Sequence, residues 1–333
     1  MTKQNPEQKK VVLSGLRPTG PCHLGSLAGA LQNWLRLQDI YQCYYSIVTC
    51  HALSSEYMES KAIKKNVFEV AIDWLSIGLD PEKCVIFIQS EVKEHAELHL
   101  LLSMVTPLPW LERVPTFKEM QSELQYKDIN TYGYLGYPVL QTADILIYKA
   151  DIVPVGEDQA PHLELAREIA RRFNRIFGPI FPEPQTLLTE VPRLAGTDGR
   201  KMSKSFGNAI YLKDSPAIIR QKIAPMVTDT RRMRRSDPGE PEDCPVFTLH
   251  KAFVPKDKQD EIAQGCRTAG IGCLDCKKVV IDTLIAMLAP FREKRKQFEK
   301  NPQRIRDILE EGNRKARRVA EQTMNEVRAA LGF

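Results

Sequence analysis

SGLRPTGPCHLGSLAGAL, residues 14–31, joins a short apolar run to a helix through a glycine-punctuated loop. VVLSGL (11–16) reads as a buried strand. After the loop, Leu24, Leu27, Leu31, Trp34 and Leu35 recur at helical spacing, predicting a helix from Leu24 to Asp39. Gly15 and Gly20 stand five apart, and His23 and Gly25 open the helix. The segment resembles a phosphate loop but fits neither common pattern. A Walker A loop needs Lys and then Ser or Thr directly after Gly20, where Pro21 and Cys22 stand. No G-x-G-x-x-G can be read either. A histidine, not a lysine, stands at the head of the helix.

Outward from this stretch, YYSIVTC (44–50), CVIFIQS (84–90) and IVPVG (152–156) read as further strands. Helices are predicted over 59–78, 93–104 and 157–177. In the last, Leu163, Ala166, Ile169, Ala170 and Phe173 share one face. TYGYLGYPVLQTADILIYKAD (131–151) begins as loop and becomes helix. Strands alternating with helices predict an α/β fold with a Rossmann-like, doubly wound parallel sheet. Ligands of such sheets sit at the carboxyl ends of the strands, where strand order reverses. RPTGPCHLG follows the first strand and GEDQ (156–159) follows IVPVG. The two loops frame one pocket if those strands are neighbours.

A Pro/Gly-punctuated stretch (178–200) runs into the charged loop GRKMSKSFGN. Beyond residue 210 the chain reads almost wholly helical. VVIDTLIAMLAPF (279–291) is amphipathic, and two long charged helices follow, split at Asn301-Pro302. The predicted division is a catalytic domain over 1–210 and an all-α domain over 211–333.

The bulk numbers agree. A chain of 333 residues, 43% hydrophobic and 27% charged, suits two soluble domains with a sizeable core. MTKQNPEQKK has no apolar leader character, and no run of about 20 apolar residues occurs. The expectation is a cytoplasmic protein with no membrane span. Charge is uneven. From Tyr211 onward there are 25 Lys/Arg against 18 Asp/Glu, a net of +7; the rest has 22 against 24, a net of −2. RRMRR (231–235), REKRK (292–296) and RKARR (314–318) suit nucleic-acid phosphates or solvated helix faces.

His23 at a helix start can donate to phosphate oxygens as charge builds in a transition state. Gly25, lacking a Cβ, lets a base or sugar approach the backbone. KMSKS (201–205) supplies two lysines three apart among small hydroxyl residues, a cationic clamp for a polyphosphate leaving group. An H-x-G triplet is weak alone, and so is K-x-x-K. Together in an alternating α/β chain they are specific.

The pair HLGS (23–26) and KMSKS (201–205) resembles the two signatures of class I aminoacyl-tRNA synthetases. With SGLRPTG (14–20), YPVLQTADILIY (137–148) and DIVPVGEDQAPHLELAREIARRFN (151–174), nearly the whole chain is similar to the tryptophanyl-tRNA synthetase family. The resemblance implies a tryptophan–tRNA ligase that binds ATP with Mg²⁺, L-tryptophan and tRNA(Trp), and that forms a homodimer. It assigns ATP to Arg17, His23, Gly25, Ser26, Gly156, Asp158, Lys201, Met202 and Lys204, with His23, Lys201 and Lys204 catalytic. It assigns tryptophan to Gly15, His51, Tyr137, Gln141, Asp144, Val153, Val155 and Gln159. Indole has a donor and no acceptor, so an ionised Asp144 is a fitting partner. Ser26 replaces the second histidine of the ideal signature. Gln141 and Arg17 replace the methionine and glutamine common in bacterial members. A tyrosyl enzyme shares both signatures. A non-catalytic paralogue that has kept the fold, or a small-molecule adenylating ligase, would also fit parts of the pattern. Intact His23, Lys201 and Lys204 argue against the first, and the basic helical region against the second.

Cys22, Cys43, Cys50 and Cys84 read as small buried residues. Cys244, Cys266, Cys273 and Cys276 form C-x21-C-x6-C-x2-C. Four thiolates with one C-x-x-C pair suit a [4Fe–4S] cluster or Zn²⁺, or remain unliganded. The pattern resembles that of a bacterial subset of the same family carrying a [4Fe–4S] cluster. In HAELH (95–99) the order of residues is not that of a zinc protease motif, and both histidines are expected at the surface.

Overall fold

The computed structural model describes residues 9–114, 131–188 and 193–333. Five strands form one parallel sheet: β1 (Val11–Leu16), β2 (Gln42–Ile47), β3 (Cys84–Ile88), β4 (Ile152–Val155) and β5 (Gln185–Leu188). Their spatial order is β3-β2-β1-β4-β5. β1 pairs with β2 along its length, from Val11 opposite Gln42 to Leu16 opposite Ile47, and meets β4 at Val12 opposite Ile152. The chain winds outward on one side of β1 and returns on the other. Strand order therefore reverses between β1 and β4, where parallel sheets hold their ligands. The neighbouring strands required by the sequence reading are present.

Successive strand residues feed opposite faces. Cys43, Tyr45 and Ile47 of β2 join a layer with Leu24, Trp34 and Trp74, while Tyr44 joins Leu98, Leu146, Ile169 and Phe173 on the other side. Trp34 stacks on Tyr45 at 4.4 Å and meets Trp74 edge-on at 5.0 Å.

The helix after β1 starts at Leu24, passes through a π turn (Leu27–Leu31) and continues as α1 (Gln32–Ile40). Next come α2 (Thr49–Glu56), α3 (Lys61–Ile77), α4 (Glu94–Ser103), α5 (Tyr137–Ile147) and α6 (Ala160–Phe177). Gly78 ends α3 at φ +113°, a left-handed position that suits glycine. β2 stops earlier than predicted. Its pairing with β1 runs out at Ile47, and Thr49 already begins α2, which brings His51 to the carboxyl edge of the sheet.

β5 escaped the sequence reading, which left 178–200 without a strand. QTLL is a four-residue edge strand between prolines, with no fully buried position to mark it. The later helices are α7 (Pro216–Ile223), α8 (Pro245–Phe253), α9 (Lys256–Arg267), α10 (Cys273–Met287), α11 (Ala289–Lys300) and α12 (Pro302–Leu331). Asn301 caps α12 by accepting the Arg304 N–H at 3.3 Å. α12 covers the free edge of β3, where Asn313 Oδ1 accepts the Ile88 N–H at 2.8 Å.

Candidate active site

His23 occupies the cap of the helix after β1, and its Nδ1 accepts the Ser26 N–H at 3.3 Å. An acceptor at Nδ1 puts the ring proton on Nε2. Burial, then the nearby Lys204 ammonium, lowers the imidazole pKa to about 4. At neutral pH the ring is thus an uncharged N–H donor. A Cβ at Gly25 would stand 2.8 Å from His23 Cε1, so this glycine makes room for the imidazole itself. At Gly15, within β1, a Cβ would meet Ser46 O at 2.7 Å. Arg17 is exposed, with Nη1 at 3.5 Å from Ser55 Oγ.

The two signatures meet. Lys204 Nζ donates to the Gly20 carbonyl at 2.6 Å, across 184 residues of chain. Burial lowers the pKa of this ammonium. Beyond the lysines the chain pairs with the loop: Leu24 N–H donates to Ile210 O at 2.9 Å and Leu212 N–H to Cys22 O at 3.0 Å. Met202 is buried, while Lys201 is exposed. Asn208 holds the lysine loop in shape. Its Oδ1 accepts the Ser203 N–H at 2.8 Å, and its Nδ2 donates to Asp198 Oδ1 at 2.7 Å and Lys201 O at 3.1 Å. A Cβ at Gly196 would stand 2.3 Å from the Asn208 amide. The sequence reading passed over both residues. The available signal was an Asn directly after a turn glycine, Gly207, at φ +66°.

Asp144 lies in α5, 4% exposed. Three side chains donate to it. His51 Nε2 is 2.9 Å from Oδ2, His95 Nδ1 is 2.6 Å from Oδ1, and Gln89 Nε2 spans both oxygens at 2.8 and 2.7 Å. Burial would raise the carboxyl, but His95 and His51 outweigh it and hold Asp144 well below the usual carboxylate range. Asp144 is therefore an ionised acceptor. His95 corrects the sequence reading: it is 2% exposed, and His99 is half-buried. Neither His95 nor Gln89 was foreseen as part of the site.

Gln141 stands three residues before Asp144 on α5 and is half-buried. Tyr137, at the start of α5, is hydrogen-bonded to His162 Nε2 at 2.7 Å and lies edge-on to His51. On β4, Val153 is buried and Val155 half-buried. Gly156 follows, its carbonyl accepting the Gln159 N–H at 3.0 Å. The side chain of Asp158 lies outside the described residues. The β1 loop, the first turn of α2 and the β4 loop all follow the carboxyl ends of their strands, and Asp144 of α5 meets His51 there.

The model of class I tRNA synthetases for tryptophan and tyrosine matches residues 4–289. The chain belongs to this family. It is 52% identical over 324 residues to the tryptophan–tRNA ligase of Thermotoga maritima, covering 97% of this chain and 99% of that one. The tryptophan–tRNA ligase of Aquifex aeolicus is 42% identical, with 97% and 99% covered. Among solved structures, Campylobacter jejuni tryptophanyl-tRNA synthetase complexed with ADP and tryptophan superposes with a TM-score of 0.85. Its identity is 34%, covering 97% of this chain and all of that one.

The second group of cysteines lies in the helical region. Cys244, Cys266, Cys273 and Cys276 are free and half-buried. Burial, then the other three thiols, pushes Cys276 up to about 12. Arg232 Nη1 donates to Cys266 Sγ at 3.9 Å, and Cys276 Sγ is 3.2 Å from His250 Nε2. Among the described residues, no three His, Cys, Asp or Glu side chains converge to hold a single ion. No helix among them is long and apolar enough to cross a membrane. Cys22, Cys43 and Cys84 are buried small residues, as expected, whereas Cys50, in the first turn of α2, is only half-buried.

Proposed function

We infer that the chain is a tryptophan–tRNA ligase. It activates L-tryptophan with ATP to tryptophanyl-adenylate and passes the tryptophanyl group to tRNA(Trp). The observation that carries this reading is full-length likeness to tryptophan–tRNA ligases at 52% identity. In the first step a tryptophan carboxylate oxygen bonds to the α-phosphorus, and the bond to the bridging oxygen breaks, releasing pyrophosphate. Mg²⁺ enters on the ATP phosphates.

His23 donates its Nε2–H to phosphate oxygens as charge builds. Lys204 exchanges the Gly20 carbonyl for the departing phosphates, and Lys201 closes from the exposed side. Arg17, Gly25, Ser26, Gly156, Asp158 and Met202 complete the ATP site. Asp144 accepts the indole N–H, and Gly15, His51, Gln141, Val153 and Val155 shape the slot around the ring. Tyr137 and Gln159 orient the ammonium.

The same reading gives residues 1–210 to catalysis and 211–333 to the anticodon, in a cytoplasmic homodimer. Leu100 of α4 and Met104 just past its end, four residues apart and more than half exposed, support a second copy docking there. It also gives Cys244, Cys266, Cys273 and Cys276 to a [4Fe–4S] cluster. What supports this is the chemistry of the donors: four free thiols, one of them, Cys266, beside the guanidinium of Arg232. A cluster binds each thiolate at a different iron and so needs no common point for one ion, as Zn²⁺ does.

Amino-acid-dependent ATP–pyrophosphate exchange with each of the twenty amino acids tests the reading. Tryptophan alone should sustain exchange. Exchange with tyrosine would move the chemistry to the sister enzyme, and exchange with none would overturn it.

A further inference from the structure

His95 is held on both ring nitrogens. Its Nδ1 lies 2.6 Å from Asp144 Oδ1 and its Nε2 lies 2.8 Å from Tyr148 Oη. Phe87 lies over the imidazole at 5.9 Å, and Tyr148 stacks on Tyr44 at 4.7 Å. Tyr148 is 2% exposed, and burial pushes its phenol far above the usual range, so it keeps its proton. With Tyr148 donating to Nε2, the imidazole proton sits on Nδ1 and donates to Asp144.

Gln89 is fixed in the same way. Its Oε1 accepts the Cys50 N–H at 2.9 Å, which turns its Nε2 toward the carboxylate. His51 differs. Its side chain is 11% exposed against 3% for His95, and its ring, which meets Oδ2, lies edge-on to Tyr137. A carboxylate offers about four acceptor sites. Two donors hold Asp144 from behind, and one stands where a ligand N–H would arrive.

We propose that His95, backed by Tyr148, is a positioning residue for amino-acid selection: it pins Asp144 Oδ1 so that Oδ2 faces the substrate N–H, with His51 the donor that gives way. The proposal rests on the reading of Asp144 as the indole acceptor. A carboxylate freed to rotate would still bind an indole, but would lose its fixed direction. That loss falls on substrates that use the N–H and spares those that do not.

The test compares L-tryptophan with β-(1-benzothiophen-3-yl)alanine, in which sulfur replaces the indole N–H, by pyrophosphate exchange. His95→Leu removes the donor at similar volume. It should lower kcat/KM for tryptophan about 10- to 100-fold, the range for a lost hydrogen bond to a charged group. The analogue should change by less than about threefold, with the ATP KM unmoved. His95→Asn places an amide donor near the Nδ1 position and should recover most of the loss. Tyr148→Phe should give a smaller loss in the same direction.

Equal losses for both amino acids, or no recovery with Asn, would make His95 a packing residue and overturn the proposal. Asp144→Ala is run beside them. If it abolishes discrimination and His95→Leu does not, the positioning role fails while the Asp144 assignment stands. If Asp144→Ala leaves discrimination intact, both fail.

Discussion

Arg295 of α11 and Asp73 of α3, 222 residues apart, form an ion pair inside the protein, their side chains 5% and 0% exposed. The other Asp73 oxygen accepts the Cys22 N–H at 2.7 Å, one residue before His23. Through Asp73, α11 thereby holds the loop after β1. Burial raises the Asp73 carboxyl above the usual range even against the pull of Arg295. Arg295→Met leaves that carboxylate without its cation and should cost about 3–5 kcal/mol at neutral pH. The sign of the pH effect follows from linkage. A carboxyl raised in the folded state contributes stability at low pH that is lost as pH climbs through its folded value. In the variant that value is higher still. The gap between wild type and variant should therefore widen from pH 5 to pH 8 in denaturant unfolding. A gap independent of pH would exclude a buried charge as its cause.

Gly312 sits where α12 crosses β3, and a Cβ there would stand 1.8 Å from the Ile86 carbonyl oxygen. Backbone cannot yield as a side chain does, so Gly312→Ala should push the helix off the strand and cost at least about 1–3 kcal/mol. Gly133→Ala is the control. Nothing lies within 4 Å of its added Cβ, and stability should stay level or rise. Urea midpoints of the two variants decide the matter.

The central strands and the two loops at the switch point were legible because a short apolar run followed by a turn-rich loop is a local signal. VVLSGL and IVPVG each carry it. QTLL carries none, since an edge strand with half-exposed faces looks like loop. The site divided along the same line. His23, Lys204 and Asp144 stand in readable local patterns. His95 looked like one charge-flanked helix residue among others, because its partner Asp144 is 49 residues away. Arg295 was hidden in REKRK, a run read as surface charge. Its neighbours Lys294 and Lys296 are exposed, and only the fold selects the middle residue for burial.

Cys244, Cys266, Cys273 and Cys276 give a prediction with a visible outcome. Protein purified without oxygen should be brown and contain about four irons per chain. Cys276→Ser should lower the iron content and bleach the colour, while Cys84→Ser, at a buried thiol of β3, should not. Colourless protein with one zinc per chain would replace the cluster by a single ion, and metal-free protein would remove both.

His23 combines two tasks that one substitution can separate. Its Nδ1 caps a helix, and its Nε2–H is the donor assigned to phosphate. Asparagine is among the best helix caps but cannot place a donor where Nε2 stands. His23→Asn should keep thermal stability within about 0.5 kcal/mol of wild type. It should slow adenylate formation about 100-fold, the scale of one lost transition-state donor. His23→Ala should lose the rate and, in addition, about 1 kcal/mol of stability. Lys204→Ala should slow adenylate formation on the same scale while tryptophan binding holds, because the lysine meets the leaving group and not the amino acid. Since His23 is lowered to about 4, the wild-type rate should show no titration of this histidine between pH 5.5 and 8. Single-turnover adenylate formation, followed across that range and over tryptophan concentration, reads the rates and the binding, and thermal unfolding reads the stabilities. A wild-type rate that rises through pH 6.5 and flattens in His23→Asn would mean the imidazole is charged in the resting enzyme, and the neutral-donor mechanism would fall.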